Sequence, residues 1–300
     1  MDLWIPITIG AALAQTVRFM LQKQLKSAQL STAGATFARF LYSSPLVALI
    51  AVTYATKTGQ GAPDIPPVFW TYALLGASTQ IIGTACVIAL FSHRNFAVGI
   101  TFKKTEVLLC ALIGALILGD LITWPALGAI LLGLIGVLYL SDTASAAGGI
   151  FKRMWSKGTA LGLASGLAFG FSGNGYRGAS LSLGDGDTFY RAIVTLALVT
   201  AFQTAIMVVW LIWRERGEIT RVIKAWRIAA LVGLTSMAGS ICWFVAYTLQ
   251  TAAYVNALGQ GELLFSLMIG AFVFGETISR REWQGLAFLT GSIVLLVAVT

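Results

Sequence analysis

Shifting this sequence against itself by 156 positions lays an apolar signature of the first half onto its copy in the second. Lys104-Thr105-Glu106-Val107-Leu108-Leu109 falls on Gln260-Gly261-Glu262-Leu263-Leu264-Phe265, Gly114-Ala115 on Gly270-Ala271, and Gly119-Asp120 on Gly275-Glu276. Trp70, Gly83 and Cys86 meet Trp226, Gly239 and Cys242 at the same offset. Thr36-Phe37-Ala38-Arg39 meets Thr188-Phe189-Tyr190-Arg191 at 152, as a shorter second-half loop would produce. Each copy contains about five apolar segments, and a duplicated membrane unit with an odd number of spans is the pattern of carriers built from inverted repeats.

The membrane assignment follows from composition. With 57% hydrophobic and only 11% charged residues, and a mean hydropathy of +0.83, the chain lies far from a soluble domain, in which about a quarter of residues are charged. A helix needs roughly 20 apolar residues to cross a ~30 Å hydrocarbon layer with every backbone N–H and C=O paired internally. Ten such stretches can be drawn, at 3–21, 33–56, 69–91, 96–118, 124–141, 159–181, 188–213, 227–248, 252–274 and 281–299. The alternating pattern of an outer-membrane barrel is missing. The first stretch has neither a basic leader nor a small-residue cleavage site, so it is expected to be a permanent span. The expected fold is all-α integral membrane, with ten transmembrane helices as two inverted five-helix repeats (1–141 and 158–300) around a central cavity, joined by a cytoplasmic linker (142–157).

The loops after the even-numbered stretches carry only Lys57 and Arg177, whereas the opposite side carries thirteen bases: Lys23, Lys26, Arg94, Lys152, Arg153, Lys157, Arg214, Arg216, Arg221, Lys224, Arg227, Arg280 and Arg281. The positive-inside rule places the basic loops in the cytoplasm of a cell (inner) membrane protein, with both termini outside. The stretch Trp210 to Arg227 mixes tryptophans and isoleucines with bases, as an interfacial helix does. These loops account for the +8 net charge, so no nucleic-acid partner is implied. Cys86, Cys110 and Cys242 read as small buried hydrophobes. His93 has no Cys or His neighbour, and neither a metal nor a cofactor is expected.

Polar residues inside apolar stretches are the candidate site. Arg18, Arg39, Lys103, Lys104 and Arg191 fall in or near the apolar layer, where a charge costs at least ~2.5–3.5 kcal/mol and must face a cavity or a partner. Glu106 and Glu262 each lie about ten residues into a predicted span, close to the midplane at ~1.5 Å per residue. There they could attract a cargo ammonium or exchange protons. For Glu106 a structural ion pair competes, because Lys103 sits at i−3 on the same helical face. Lys104 projects away from Glu106, and facing the cavity it would suit a substrate carboxylate. Arg39 pairs by position with Arg191, and Arg18 approximately with Arg177, as gate or scaffold charges. Gln15, Thr16, Gln80, Thr105, Trp243, Tyr254, Asn256 and Gln260 are further cavity candidates, with helix–helix hydrogen bonding or lipid anchoring as the alternative for each. Gly162, Gly166 and Gly170 form a packing strip, and Gly173-Asn174-Gly175-Tyr176 is expected to loosen its helix toward the cavity.

The paired endings Gly119-Asp120-Leu121-Ile122-Thr123 and Gly275-Glu276-Thr277-Ile278-Ser279, each followed by a glycine-studded last span, resemble the drug/metabolite transporter superfamily in its ten-helix, two-repeat EamA form, over essentially the whole chain. The resemblance implies a basket-shaped bundle carrying small metabolites through the bilayer, with the aromatic amino-acid exporter group as the nearest characterised kind. Many relatives have a proline just after the positions of Glu106 and Glu262, where this chain has Val107 and Leu263. The termini of many ten-helix relatives also lie opposite to the side that the charges give here.

The function expected is therefore a secondary-active or facilitative carrier, working as a monomer and exporting small metabolites, amino acids with apolar or aromatic side chains above all. A proton-coupled exporter of hydrophobic cations using Glu106 and Glu262 is the alternative. An enzyme would need a base, nucleophile or metal set that this chain does not offer.

Overall fold

The computed structural model describes residues 2–27, 30–90, 103–141, 157–184, 186–265 and 279–300. These residues form helices and no strands, as a chain without water to satisfy its backbone must. In chain order the helices are α1 (Trp4–Ser27), α2 (Thr32–Thr58), α3 (Pro67–Leu90), α4 (Glu106–Ile117), α5 (Trp124–Ser141), α6 (Lys157–Ser182), α7 (Thr188–Arg214), α8 (Glu218–Lys224), α9 (Trp226–Leu249), α10 (Ala252–Gly259) and α11 (Arg280–Val299).

Six of them are long and apolar enough to span a membrane: α1 as far as Gln22, α2, α3, α7, α9 and α11. The short apolar α4 and α5 cover the described parts of the fourth and fifth predicted stretches. The sixth stretch is a continuous helix, α6, whose glycines and serines dilute its apolar character. Residues 96–102 and 266–274 of the fourth and ninth stretches, His93, Arg94 and the Gly275-Glu276 motif lie outside the described residues, as does most of the linker.

Two expectations about helix continuity are corrected. Gly173 to Tyr176 does not open α6, which runs unbroken to Ser182 because the glycines there receive neighbouring helices. The breaks fall instead in the fourth and ninth stretches. Helical backbone is interrupted at Lys104-Thr105 and resumes at Glu106. In the second half α10 ends at Gly259, the chain turns through Gln260-Gly261, and helix resumes at Glu262. The Gln260 and Gly261 N–H groups bond back three residues, to Ala257 C=O at 3.2 Å and Leu258 C=O at 3.0 Å. The two breaks coincide at the 156 offset, and each places a glutamate at the first residue of the next helical segment, where the helix dipole favours a negative charge. Val107 and Leu263 follow the two glutamates, so neither break is made by a proline.

Helices of one half pack chiefly on helices of the other. α3 lies antiparallel along α6: Tyr72 contacts Gly178, Gly76 contacts Gly175, Gln80 contacts Ser172, and Gly83 contacts Phe169. A Cβ on Gly175 would stand 2.8 Å from the Gly76 backbone, so the two main chains touch without an intervening side chain. At the matching place α1 lies antiparallel along α9, with Gly10 beside Cys242 and Gly239 beside Ala14.

α2 and α7 also run antiparallel. The end of α2 meets the start of α7, where the Tyr54 hydroxyl and Gln60 Nε2 donate to Asp187 at 2.9 and 2.6 Å. The start of α2 meets the segment after α7, where Ser31 N–H donates to Glu218 at 2.5 Å. α5 and α11 make a fourth antiparallel pair, sealed by Ser292 Oγ donating to Ala129 C=O at 2.6 Å. Large apolar side chains such as Leu116, Leu121, Trp124, Val209 and Trp213 point outward, as a lipid-facing surface requires.

Candidate functional site

α1, α2, α3, α6, α9 and α10 surround a central cavity, together with residues 103–106 at the first break; its empty volume is about 500 Å³ including its mouth. The first half supplies Gln15, Phe19, Arg39, Gln80, Lys103 and Glu106. The second half supplies two helical faces of like spacing, Phe169, Ser172, Gly173 and Tyr176 from α6 and Ser240, Trp243, Phe244 and Tyr247 from α9, with Asn256 from α10. Steps of three and four residues put each set on one stripe of its helix. The aromatic members stack in pairs: Tyr176 on Phe244 with centroids 4.2 Å apart, and Trp243 on Tyr247 at 5.7 Å.

Arg39 is 6% exposed, and its hydrogen-bond partners are neutral. Nε donates to Ser236 Oγ at 2.8 Å and Nη1 to Thr84 Oγ1 at 3.0 Å, while Ser240 Oγ lies 3.5 Å from Nη2. With its amide oxygen turned to the guanidinium, Gln80 accepts from both Nη atoms at 2.8 Å and donates to Ser172 Oγ at 2.6 Å. Arg39 thus ties α2 to α3 and α9 and borders the cavity at the same time.

The two glutamates are each paired with a lysine. Lys103 Nζ lies 2.9 Å from Glu106, both on the cavity wall. Lys104 donates to Glu262 of the other half, and Glu262 also accepts from Gln15 Nε2 at 2.7 Å. This second pair sits behind the wall. Lys104 and Gln260 line a separate small void among α4, α5, α10 and α11, and Gln260 Oε1 has no hydrogen-bond partner. Arg18, 3% exposed, is held by Gln22 and Gln15 oxygens at 3.4 Å and stacks its guanidinium over Phe19 at 4.4 Å.

The remaining candidates are placed away from the cavity. Arg177 pairs with Asp120 at 2.7 Å and donates to the Tyr247 and Gln250 carbonyls at 2.9 Å, closing the end of α9. Asn174 donates to the Cys110 and Gly170 carbonyls, both at 2.9 Å, and ties α6 to α4. The Tyr254 hydroxyl accepts from Thr123 N–H at 3.2 Å. Thr105 is half-buried at the first break, with Oγ1 close to Gly166. Arg191 is half-buried in the first turn of α7, and its Nε has no hydrogen-bond partner. Gly166 and Gly170 receive the backbone of residues 103–106 and of Cys110, so the glycine strip serves packing.

Of the residues singled out from sequence, Gln15, Arg39, Gln80, Lys103, Glu106, Tyr176, Trp243 and Asn256 meet at the cavity. Phe169, Phe244, Tyr247, Ser172 and Ser240 were not singled out as site residues. Their signal was the stripe around Tyr176 and Trp243, three and four residues to either side.

The EamA-like transporter family model matches residues 2–142 and 156–298. A Sinorhizobium sp protein described as "Uncharacterized transporter in cobO 3'region" is 29% identical over 112 residues, which cover 37% of this chain and 75% of that protein. A solved chain described only as "Crystal structure of protein" superposes with a TM-score of 0.67 at 15% identity, covering 97% of this chain and 99% of that one. At that identity the likeness speaks to fold alone. With a family model spanning nearly its whole length and a described transporter among its relatives, this multi-pass membrane protein belongs to the EamA-like transporter family.

Proposed function

We propose that the two halves are inverted five-helix repeats and that the protein is a secondary carrier exporting small metabolites by alternating access, with amino acids of apolar or aromatic side chain as fitting cargo. The observation that carries this reading is the cavity at the seam, walled by both halves, with charged groups on one side and aromatic rings on the other. Counterpart helices run antiparallel in the pairs α2–α7 and α5–α11, as a two-fold axis in the membrane plane would make them. Such an axis offers two near-equivalent states open to opposite sides. The charge count favours basic loops in the cytoplasm and both termini outside, in a cell (inner) membrane. The cation-exporter alternative gains nothing from a site whose two glutamates are each neutralised by a lysine.

The test is counterflow in proteoliposomes loaded with unlabelled leucine or phenylalanine. A carrier accumulates external labelled amino acid transiently, with saturation and trans-stimulation. Flux that is linear in concentration and indifferent to the internal pool would exclude the mechanism.

A further inference from the structure

Counting charge around the cavity leads to a cargo more specific than a zwitterion. Among the described residues at and directly behind its wall stand four bases, Arg18, Arg39, Lys103 and Lys104, and two acids, Glu106 and Glu262. Lys103 and Lys104 neutralise the two acids, which leaves both arginines in surplus. Arg177 and Asp120 form a self-neutral pair and do not alter the balance. Hydroxyls and amides solvate Arg39 without cancelling its charge.

The spare hydrogen-bonding capacity is mostly of the same sign, the exception being Glu106 Oε2, a buried acceptor without a hydrogen bond that lies 2.9 Å from Lys103 Nζ. Trp243 Nε1 and Asn256 Nδ2 border the cavity as buried donors without an acceptor. Buried donors left unpaired are costly, so a ligand that brings acceptors is favoured there. A cargo ammonium is badly served, since Glu106 already has Lys103 beside it and an added cation would join the surplus.

We propose that the preferred cargo is an organic carboxylate anion with an apolar or aromatic body and no ammonium group, its carboxylate on Arg39 and the neighbouring donors, its body against the rings of α6 and α9. The proposal rests on the carrier reading and replaces its amino-acid cargo by a carboxylate that lacks the ammonium group. Arginine suits this role, because a carboxylate that displaces the neutral Gln80 oxygen from between the two Nη atoms meets the planar fork bidentately.

Three compounds with one phenylethyl body separate the possibilities: 3-phenylpropanoate, L-phenylalanine and 2-phenylethylamine, an anion, a zwitterion and a cation. Each is tested on the purified full-length protein by thermal stabilisation and on proteoliposomes by counterflow. The expected result is 3-phenylpropanoate binding and exchanging at least tenfold better than phenylalanine, with no response to the amine. Arg39→Gln should remove that preference. Should R39Q not fold, Arg39→Lys, which keeps the charge but loses the fork, should weaken the acid several-fold and leave the order unchanged. Phenylalanine matching or exceeding 3-phenylpropanoate would overturn the inference and leave the carrier standing. Preference for the amine would overturn it in favour of cation transport. Absence of saturable, trans-stimulated exchange for all three would remove the carrier reading, and this inference with it.

Discussion

Positions that match between the two halves carry different chemistry. Arg39 is buried at the cavity and held by hydroxyls, whereas its counterpart Arg191 is half-buried away from the cavity wall. Lys104 faces the other half's Glu262, while the residue matching Lys104 is the neutral Gln260. Every charged residue on the cavity wall comes from the first half, and nearly all of the aromatic surface comes from the second. Duplication has therefore kept the backbone plan, including a helix break at the same place in each copy, while the side chains facing the cavity have diverged. A carrier needs symmetry in its scaffold to have two similar end states, but a cargo with one polar end needs a site without it.

The largest expected effect separates the two ion pairs. Glu262→Gln strands Lys104 behind the wall, and a buried unpaired charge costs about 3–5 kcal/mol. Glu106→Gln strands Lys103 beside the cavity, where water can reach it, and should cost less. Thermal unfolding in detergent checks the order, and the double change of Lys104 and Glu262 to Met should recover much of the loss. Equal effects for the two acids would erase the distinction between the seam pair and the wall pair.

Next in size is a comparison of helix contacts. Gly175→Ala pushes a methyl into the Gly76 backbone and should cost about 1–3 kcal/mol as overpacking. Gly239→Ala, in the matching helix pair α1–α9, meets the Ala14 side chain at 3.2 Å with backbone no nearer than 3.7 Å and should cost less. Melting temperatures of the two variants measure the difference.

Smaller still, Trp243→Phe keeps the ring and removes the spare donor. A neutral hydrogen bond is worth about 0.5–1.5 kcal/mol, so cargo KM should rise roughly two- to tenfold with kcat little changed, as read from counterflow.

The smallest effect lies outside the membrane, at Asp187. Slight burial works to raise its pKa, but hydrogen bonds from Tyr190 N–H, the Tyr54 hydroxyl and Gln60 outweigh this and hold it below the ordinary carboxylate value. A lowered folded pKa means that the stabilisation is present above the unfolded carboxylate range and is lost as pH falls through the folded value. Asp187→Asn keeps the helix cap and removes only this dependence. Its effect should stay below about 0.5 kcal/mol at neutral pH and vanish in acid, measured as melting temperature against pH.

The helical fold and the duplication were legible because twenty-residue apolar runs and a constant offset leave few alternatives. The breaks at 104–105 and 260–261 were not: neither carries a proline, and the runs Lys103-Lys104-Thr105-Glu106 and Gly259-Gln260-Gly261-Glu262 read equally well as cavity-facing turns of a continuous helix. The cavity face was only partly legible. In a membrane both the lipid side and the ring-lined side of α9 are apolar, so periodicity does not tell Trp243 and Tyr247 from Leu231 or Leu234. The partner of Lys104 was beyond local rules as well, because Glu262 is 158 residues away and reaches it only through the contact between halves.

The main-chain contact of Gly76 with Gly175 has a mechanical consequence. Two helices that touch through their backbones have no side chains between them to rearrange, so α3 and α6 should travel together as one stiff strut, and α1 with α9 as its looser counterpart. Under the alternating access proposed above, the rocking bodies would be exchanged pairs drawn one helix from each copy, and a hinge should be sought between struts, not at the linker joining the copies.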